Sequence, residues 1–427
     1  MKTYPTYKDS NVDWLGEIPE HWELKKLGAI VQPFSKRNQP NLQVLSVYRD
    51  YGVIKKDSRD DNHNATSLDT SNYKVVHNGD LVVNKMKAWQ GSMGISSYEG
   101  IVSPAYITCN VIDEDVHSHY LHKIIRSSLI IEEYIRISYG VRVGQWDMHW
   151  EDFKNVPILI PPKHEQQAIA NFLDETCGKL DTVVAQKEKM IALLKERKQA
   201  LIQKAVTRGL NENVPQKDSG VDWIGDIPEN WEVKRLKFIC VLNKESLPEN
   251  LNKKQKINYV DIGSVTFEDG IISTEYYIFQ NAPSRARKVA ENGDTIVSTV
   301  RTYLKAIDFI DKNKSKYVYS TGFAILSPNK NILDKFLYNQ VRADAFTEQV
   351  SYNSKGMSYP AINSTDLGRI WVCVPPKQEQ EKIVNYIDAQ SQKIDQAVTQ
   401  QEQTIVKLKE YKASLIDSCV LGKIKVS

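Results

Sequence analysis

A chain of 427 residues with a formal net charge of +3, 41% hydrophobic and 26% charged residues is too long for one ordinary core, and its composition is that of a soluble globular protein of two or more domains. That composition excludes a disordered tail, a collagen and a disulfide scaffold, and no apolar run approaches the roughly 18–20 residues that span a bilayer. The five cysteines, at least 46 positions apart and behind a polar start (MKTYPTYKDSNVDW), point to a reducing cytoplasm and to no cysteine-based zinc site.

The net charge is −2 over 1–160, +3 over 161–210, +1 over 211–374 and +1 over 375–427, so no segment is a basic tail. Any nucleic-acid contact has to come from local clusters.

The chain opens on DSNVDWLGEIPEHWELKKL (9–27), whose Trp14 and Trp22 suit a domain-edge core or a partner contact equally. Beyond it QVLSVY (43–48), DLVVNK (80–85) and IVSPAYITCNV (101–111) read as strands, and HSHYLHKIIRSSLIIEEYIRI (117–137) as one helix. Basic, amide and aromatic side chains collect in three loops of this region. They are Lys36 and Arg37, then Lys85, Lys87, Trp89 and Gln90 on a glycine-rich turn after a strand, then Arg142, Gln145 and Trp146. Arginine and the amides can read base edges, while lysine and aromatic rings grip phosphate and groove walls; each cluster alone also fits a solvated loop. His117, His119 and His122 are predicted to form a solvated helix start rather than a metal site, and the acid pairs Asp60–Asp61 and Glu132–Glu133 solvated faces.

Residues 161–208 are predicted to be one long helix. Pro161-Pro162 open it, Glu165 suits its first turn, and a seam at alternating four and three spacing passes through Ile169, Leu173, Leu180, Met190, Leu194 and Leu201. Residues 209–217 read as a linker.

The chain then repeats itself. DSGVDWIGDIPENWEVKRL (218–236), with Trp223 and Trp231, matches 9–27 at thirteen of nineteen positions, and PPKQEQEKIVNYID (375–388) matches PPKHEQQAIANFLD (161–174) at eight of fourteen. Asn78-Gly79-Asp80 and Asn292-Gly293-Asp294 each lead into an apolar strand. In the second interior INYVDIG (257–263), DTIVSTV (294–300) and FAILS (323–327) read as strands and 330–350 as a helix. Its candidate contacts are Arg285 and Arg287, then Arg301, Tyr303 and Lys305, then Lys355 and Tyr359. The last helix carries a matching seam through Ile383, Ile387, Ile394, Leu408, Tyr411 and Leu415.

A repeat of half the chain is too long for a solenoid unit and reads as a duplicated domain-plus-helix module. The well-matched ends imply a shared scaffold, and the unlike interiors imply two different targets. Each helix, about 42–45 residues and roughly 65 Å long, has to bury its seam, and the antiparallel pairing of the two helices does so. The expected fold is α+β: domain 1–160, helix 161–208, linker 209–217, domain 218–374, helix 375–422. Tyr4–Lys8 is expected beside Leu421–Lys425, so that the chain is nearly circular. No phosphate-cradling Gly-rich loop, no Gly-x-Gly-x-x-Gly after a strand and no Asn/Asp-Pro-Pro-aromatic run occurs, and no catalytic residue is predicted.

The paired DSxVDWxGxIPExWE segments, the two PPKxEQ helix starts and the duplicated order over essentially all 427 residues resemble the specificity subunits of Type I restriction–modification systems. The resemblance implies two mixed α/β target recognition domains, each reading one half of a bipartite double-stranded DNA site, held apart by an antiparallel spacer of paired helices. It implies two methyltransferase (modification) subunits that methylate adenine at N6 with S-adenosylmethionine, and restriction subunits adding translocation and cleavage with ATP and Mg. On this reading the chain itself holds no cofactor and no metal, touches no membrane and works in the cytoplasm. Three other readings stay open: the recognition chain of a fused nuclease–methylase, a coiled-coil scaffold without DNA, and an enzyme of unfamiliar motif.

Overall fold

The repeated opening segments fold alike because they repeat the same turn chemistry. Asp9 and Asp218 accept the N–H of the residue two ahead, and Ser10 and Ser219 accept those of Val12 and Val221. The chain then reverses through Gly16 (φ 66°) and Gly225 (φ 71°), pairing Tyr7–Asp9 with Glu17–Pro19 and Gln216–Asp218 with Asp226–Pro228. Trp22 and Trp231, which follow, are fully buried core residues. Trp14 is partly buried against the same core, and Trp223 is exposed beside Tyr352, their ring centroids 5.5 Å apart.

This computed structural model describes residues 2–58, 66–67, 69–140, 146–211, 213–248 and 250–426, and the chain forms two compact units. The first is 1–188 with 402–427, the second 189–401. Each unit holds a four-stranded antiparallel sheet in the same order: Val31–Phe34, Tyr106–Val111, Leu81–Asn84 and Met93–Ile95 in the first, Cys240–Leu242, Phe323–Pro328, Thr295–Ser298 and Ile307–Phe309 in the second. The Asn-Gly-Asp motif is the turn into the third strand. Gly79 (φ 92°) and Gly293 (φ 96°) occupy the left-handed region, while buried Asp80 and Asp294 accept the N–H groups of His77 and Glu291. The second β layer differs. The first unit has a hairpin (Leu45–Tyr48, Gly52–Lys55) and the pair Lys74–Val76 with Gly100–Val102. The second has a four-stranded sheet in the order Glu275–Ile278, Lys256–Val260, Val318–Ser320, Ala286–Lys288 with one parallel pairing.

The two long helices are Lys163–Arg208 (46 residues) and Lys377–Val420 (44 residues), each stopped by a left-handed glycine, Gly209 and Gly422. They run antiparallel in both units: Lys412 pairs with Asp181 at 2.6 Å in the first unit, and Lys198 with Asp395 at 2.7 Å in the second. Under the 214-residue repeat these are the same ion pair. The seam departs from the predicted one in one of its two rows. Leu173, Leu180, Leu194 and Leu201, with Ile387, Ile394, Leu408 and Leu415, line it as expected, and Ile169 and Ile383 are buried near the helix starts. Met190 and Tyr411, however, are about half-exposed, and the companion row lies one residue later, through Val184, Ile191, Val398 and Ile405. Positions i+3 and i+4 both flank a residue on the inner face, and Val183-Val184 and Met190-Ile191 offer an apolar side chain to either choice.

Each unit's core is completed by the end of the helix that begins in the other repeat. Leu415, Cys419, Val420 and Leu421 join the first core, and Ile202, Ala205 and Val206 the second. These ends also break the two predicted domain helices. Residues 117–137 form Ser118–Ile124 and Ser128–Ile137, and 330–350 becomes Asp334–Arg342 and Asp344–Asn353. At each break an extended residue starts the second helix, and a side chain from the long-helix end accepts its first N–H groups: Asp417 from Ser128 at 2.9 Å, Gln203 from Ala345 at 3.2 Å. Apolar periodicity continues in phase across both breaks, so it reads as one helix.

The PPKxEQ glutamine is a buried clasp. Gln166 Oε1 accepts the N–H of His117, and its Nε2 donates to the Asp115 and Pro161 carbonyls; Gln380 does the same with Leu333, Asn331 and Pro375. The glutamate before it latches the N-terminus. Glu165 accepts from Tyr4 (2.8 Å) and Trp22 (3.2 Å) and lies 2.6 Å from His21 Nε2. Tyr7 OH donates to the Gly422 carbonyl and Lys425 N–H to that of Lys2, so the N-terminal stretch lies beside 421–425 as expected.

Gln380→Leu removes three hydrogen bonds and leaves the Pro375 carbonyl unpaired in the core, and should lower stability by about 2–4 kcal/mol in denaturant titration. Burial raises the Glu165 carboxyl's pKa, but the bonds from His21, Tyr4 and Trp22 outweigh it and hold the group below the usual carboxylate value. A lowered carboxyl stabilises the fold above its unfolded value and loses that contribution as pH falls through its folded one. Calorimetry of Glu165→Gln should therefore show a flatter loss of melting temperature below about pH 4.5 than the parent does.

Candidate nucleic-acid interface

In the first unit the strand Leu81–Asn84 runs out of the shared sheet into a 3-10 turn, Ala88–Gln90, closed by Gly91. Gly91 has φ 80°, and a Cβ there would meet Ile131 Cδ1 at 2.6 Å, so neither backbone nor space admits a side chain. The turn is pinned to segment 146–148. Met148 N–H donates to the Lys85 carbonyl, the Trp89 and Trp146 rings stand 5.2 Å apart, and Lys85 Nζ lies 2.8 Å from Asp147. Lys85 is thereby occupied by a carboxylate, whereas Lys87 is exposed and Gln90 partly so.

Lys36 and Arg37 are exposed on the adjoining segment, where the Lys36 carbonyl accepts Val75 N–H. Lys74 lies between the two groups. It donates to the Tyr106 carbonyl at 2.5 Å, and burial, then the charges of Arg37 and Lys85, hold its pKa below the ordinary lysine value. Sequence reading missed it because a lone lysine in YKVV looks like an outward strand position. Arg142 and Gln145 lie outside the described residues, as do Asp60 and Asp61. A cleft of about 640 Å³ opens beside the turn, lined by Tyr48, Arg49, Lys56, Tyr73, Lys87 and Trp89 among others.

Two expectations fail here. His122 is not solvated. Burial, then the Arg126 charge, lower its pKa to about 3, its Nδ1 accepts Ile95 N–H, and its Nε2 lies 2.8 Å from Arg126. Arg126 reaches on to the Arg49 carbonyl and so ties the end of this helix to the hairpin beside the cleft. Glu133 is buried and accepts both arms of the Arg136 guanidinium at 2.6–2.7 Å. In both cases a helix face that periodicity leaves ambiguous is covered by a neighbouring element.

In the second unit the equivalent strand, Thr295–Ser298, leads into the 3-10 turn Thr302–Leu304. Arg301 (φ 51°) and Lys305 (φ 47°) flank it in the left-handed region, at about 1–2 kcal/mol each for a side-chain-bearing residue. The 354–361 loop braces the turn: Thr302 Oγ1 lies 2.9 Å from Ser354 Oγ, Thr302 N–H reaches the Pro360 carbonyl, and Val300 and Lys355 both bridge to Ala361. The Arg301 guanidinium lies over the Tyr359 ring at 5.0 Å, and Lys305 over Phe267 at 5.6 Å and 3.5 Å from Asp344. Arg301, Tyr303, Lys355 and Tyr359, distant in sequence, thus form one surface. Arg285 adjoins it, its carbonyl accepting Thr321 N–H next to the Thr299–Gly322 pair, while Arg287 lies over Phe279 on the edge strand.

Among the described residues no group of three or more His, Cys, Asp and Glu side chains converges as metal ligands, and no helix is long and apolar enough to cross a membrane. All five cysteines are buried and unbridged; burial pushes the thiols of Cys109, Cys240, Cys373 and Cys419 up to about 12.

Two unlike basic loop surfaces thus stand on one repeated frame, and comparison with known proteins shows to which family that frame belongs. The family model described as the Type I restriction modification DNA specificity domain matches residues 19–191 and 228–407. The chain belongs to this family of specificity subunits. It is 23% identical to the MjaVIII specificity subunit of Methanocaldococcus jannaschii, covering 98% of this chain and 97% of that one, and 22% identical to the EcoDI specificity subunit of Escherichia coli, covering 87% and 82%. Among solved structures, a chain from a study of assembly and conformational transition in the type I R-M system shares its fold at TM-score 0.70 (17% identity, 95% of this chain, 99% of that). The HsdS subunit of Thermoanaerobacter tengcongensis does so at 0.54 (18% identity, 95% and 98%).

Arg301→Gly trades left-handed strain against the lost contact with Tyr359, so its stability should stay within about 1 kcal/mol of the parent, whereas Thr302→Val, which breaks the brace, should lose about 1–2 kcal/mol in urea unfolding.

Proposed function

We propose that this chain reads an asymmetric bipartite site in double-stranded DNA, one half per domain, and docks two methyltransferase subunits, and restriction subunits, on its repeated parts. The observation that carries the reading is a repeated placement: the strand behind the Asn-Gly-Asp turn delivers a basic–aromatic loop in each unit (85–90 and 301–305), beside β layers that are not alike. One sheet frame with two different faces is what two different half-sites require. Lys36, Arg37 and Lys87 grip one half; Arg285, Arg301 and Lys355 grip the other, with the aromatic rings lining the groove wall. Half-sites read from one face of B-DNA lie about one helical turn, roughly 34 Å, or a multiple of it, apart. S-adenosylmethionine, ATP and Mg belong to the partner chains on this reading. The basic loops favour it over a scaffold that never meets DNA.

Mapping N6-methyladenine in the source genome with and without the gene tests the proposal. The expected result is one split motif of two unlike halves that loses its methylation on deletion; unchanged methylation with the chain expressed would overturn it. On that duplex, Lys87→Ala and Arg301→Ala should each weaken binding about tenfold and flatten the dependence on salt.

A further inference from the structure

Five described residues other than glycine have positive φ. Three are asparagines (Asn11, Asn38 and Asn243), which tolerate it; the other two, Arg301 and Lys305, bracket the single turn Thr302–Leu304. Strain at two long side chains in one loop persists only where neighbours over-determine it, and the 354–361 loop does so through Ser354, Pro360 and Ala361. The two tips of this braced pair of loops are apolar. Tyr303 and Leu304 crown one, and Met357, fully exposed beside Gly356 at φ 108°, crowns the other. The exposed cations Arg285, Arg301 and Lys355 stand beside them, and the one neighbouring carboxylate named above, Asp344, is paired with Lys305. Rigid apolar tips between cations suit a polyanion whose interior is apolar, the stacked bases of a duplex.

We infer that Leu304 and Met357 form a wedge that enters a base step in the half-site read by the second domain and kinks the duplex there. The inference rests on the DNA-reading function proposed above and adds a mode of recognition to it: the energy of unstacking that step contributes to sequence choice at base pairs the domain does not hydrogen-bond. The braced backbone matters because a flexible tip would fold back on entry, whereas this one arrives already shaped.

The test uses the full chain assembled with its modification subunits and the methylation-mapped duplex, with 2-aminopurine placed in turn at each step of both half-sites except at the methylated adenine and its neighbours, which methylation itself unstacks. One step in the second half-site should brighten at least about twofold on binding, and the double variant Leu304→Ser/Met357→Ser should abolish that rise while keeping affinity within about tenfold of the parent. Arg301→Gln should weaken binding yet leave the rise at saturation. Full-affinity binding with no bright step in the second half-site, or a rise indifferent to the double variant, overturns the wedge and leaves the DNA reading intact. Failure of the parent complex to bind the duplex overturns both. Loss of the modification subunits from the double variant, with its melting temperature unchanged, also overturns the wedge, because the tips would then be a protein-docking surface.

Discussion

The structure depends on an exchange: each unit's core is sealed by the end of a helix that starts in the other repeat. Leu415, Val420 and Leu421 enter one core and Ile202 and Val206 the other, and a fully buried aliphatic side chain contributes about 1.5–3 kcal/mol. Asp417 and Gln203 at the same ends cap the helix that each unit breaks to receive them. Neither module carries a complete core in its own stretch of sequence, so the matched ends of the repeat are the parts that complete each other's cores.

That exchange accounts for the motifs. The PPKxEQ glutamine clasps the loop in front of the domain helix, and its glutamate in the first copy latches the N-terminus. The Asn-Gly-Asp turn admits one strand at one angle to the shared sheet. Once these are fixed, the loop behind that strand is delivered to the same place in each unit, and only the second β layer and the loop chemistry remain to differ. A recognition chain gains from this separation, because new specificity can arise in the loops without disturbing the frame.

Much of this was legible in the sequence. The two helix lengths and the row through Leu173, Leu180 and Leu194 follow from repeat and period alone, whereas these leave the burial of Trp22 and Trp231 open between core and partner contact. The companion row was not legible, because adjacent apolar residues at 183–184 and 190–191 satisfy either spacing, and Met190 and Tyr411 proved to face outward. His122 and Glu133 read as solvated from local pattern, but Glu133 is buried and His122 largely so, under Ile95 from a strand more than twenty residues away. The candidate site divides in the same way. Arg301 and Lys355 were visible as basic loop residues, but nothing in VRTYLK or SYNSKGMSYP announces that Ser354 and Pro360 grip Thr302, or that Lys74 links Arg37 to Lys85.

By itself the sequence determined the duplication, the two long helices, the kind of side chain gathered in the loops and the family, because repeat, period and composition are properties of a linear chain. Only the tertiary structure decided which side of each helix is inside, where the domain helices break, which loops share a surface and which basic residues are already paired. Those outcomes depend on contacts between residues far apart in the chain, and a local pattern of apolar and polar residues is compatible with more than one of them.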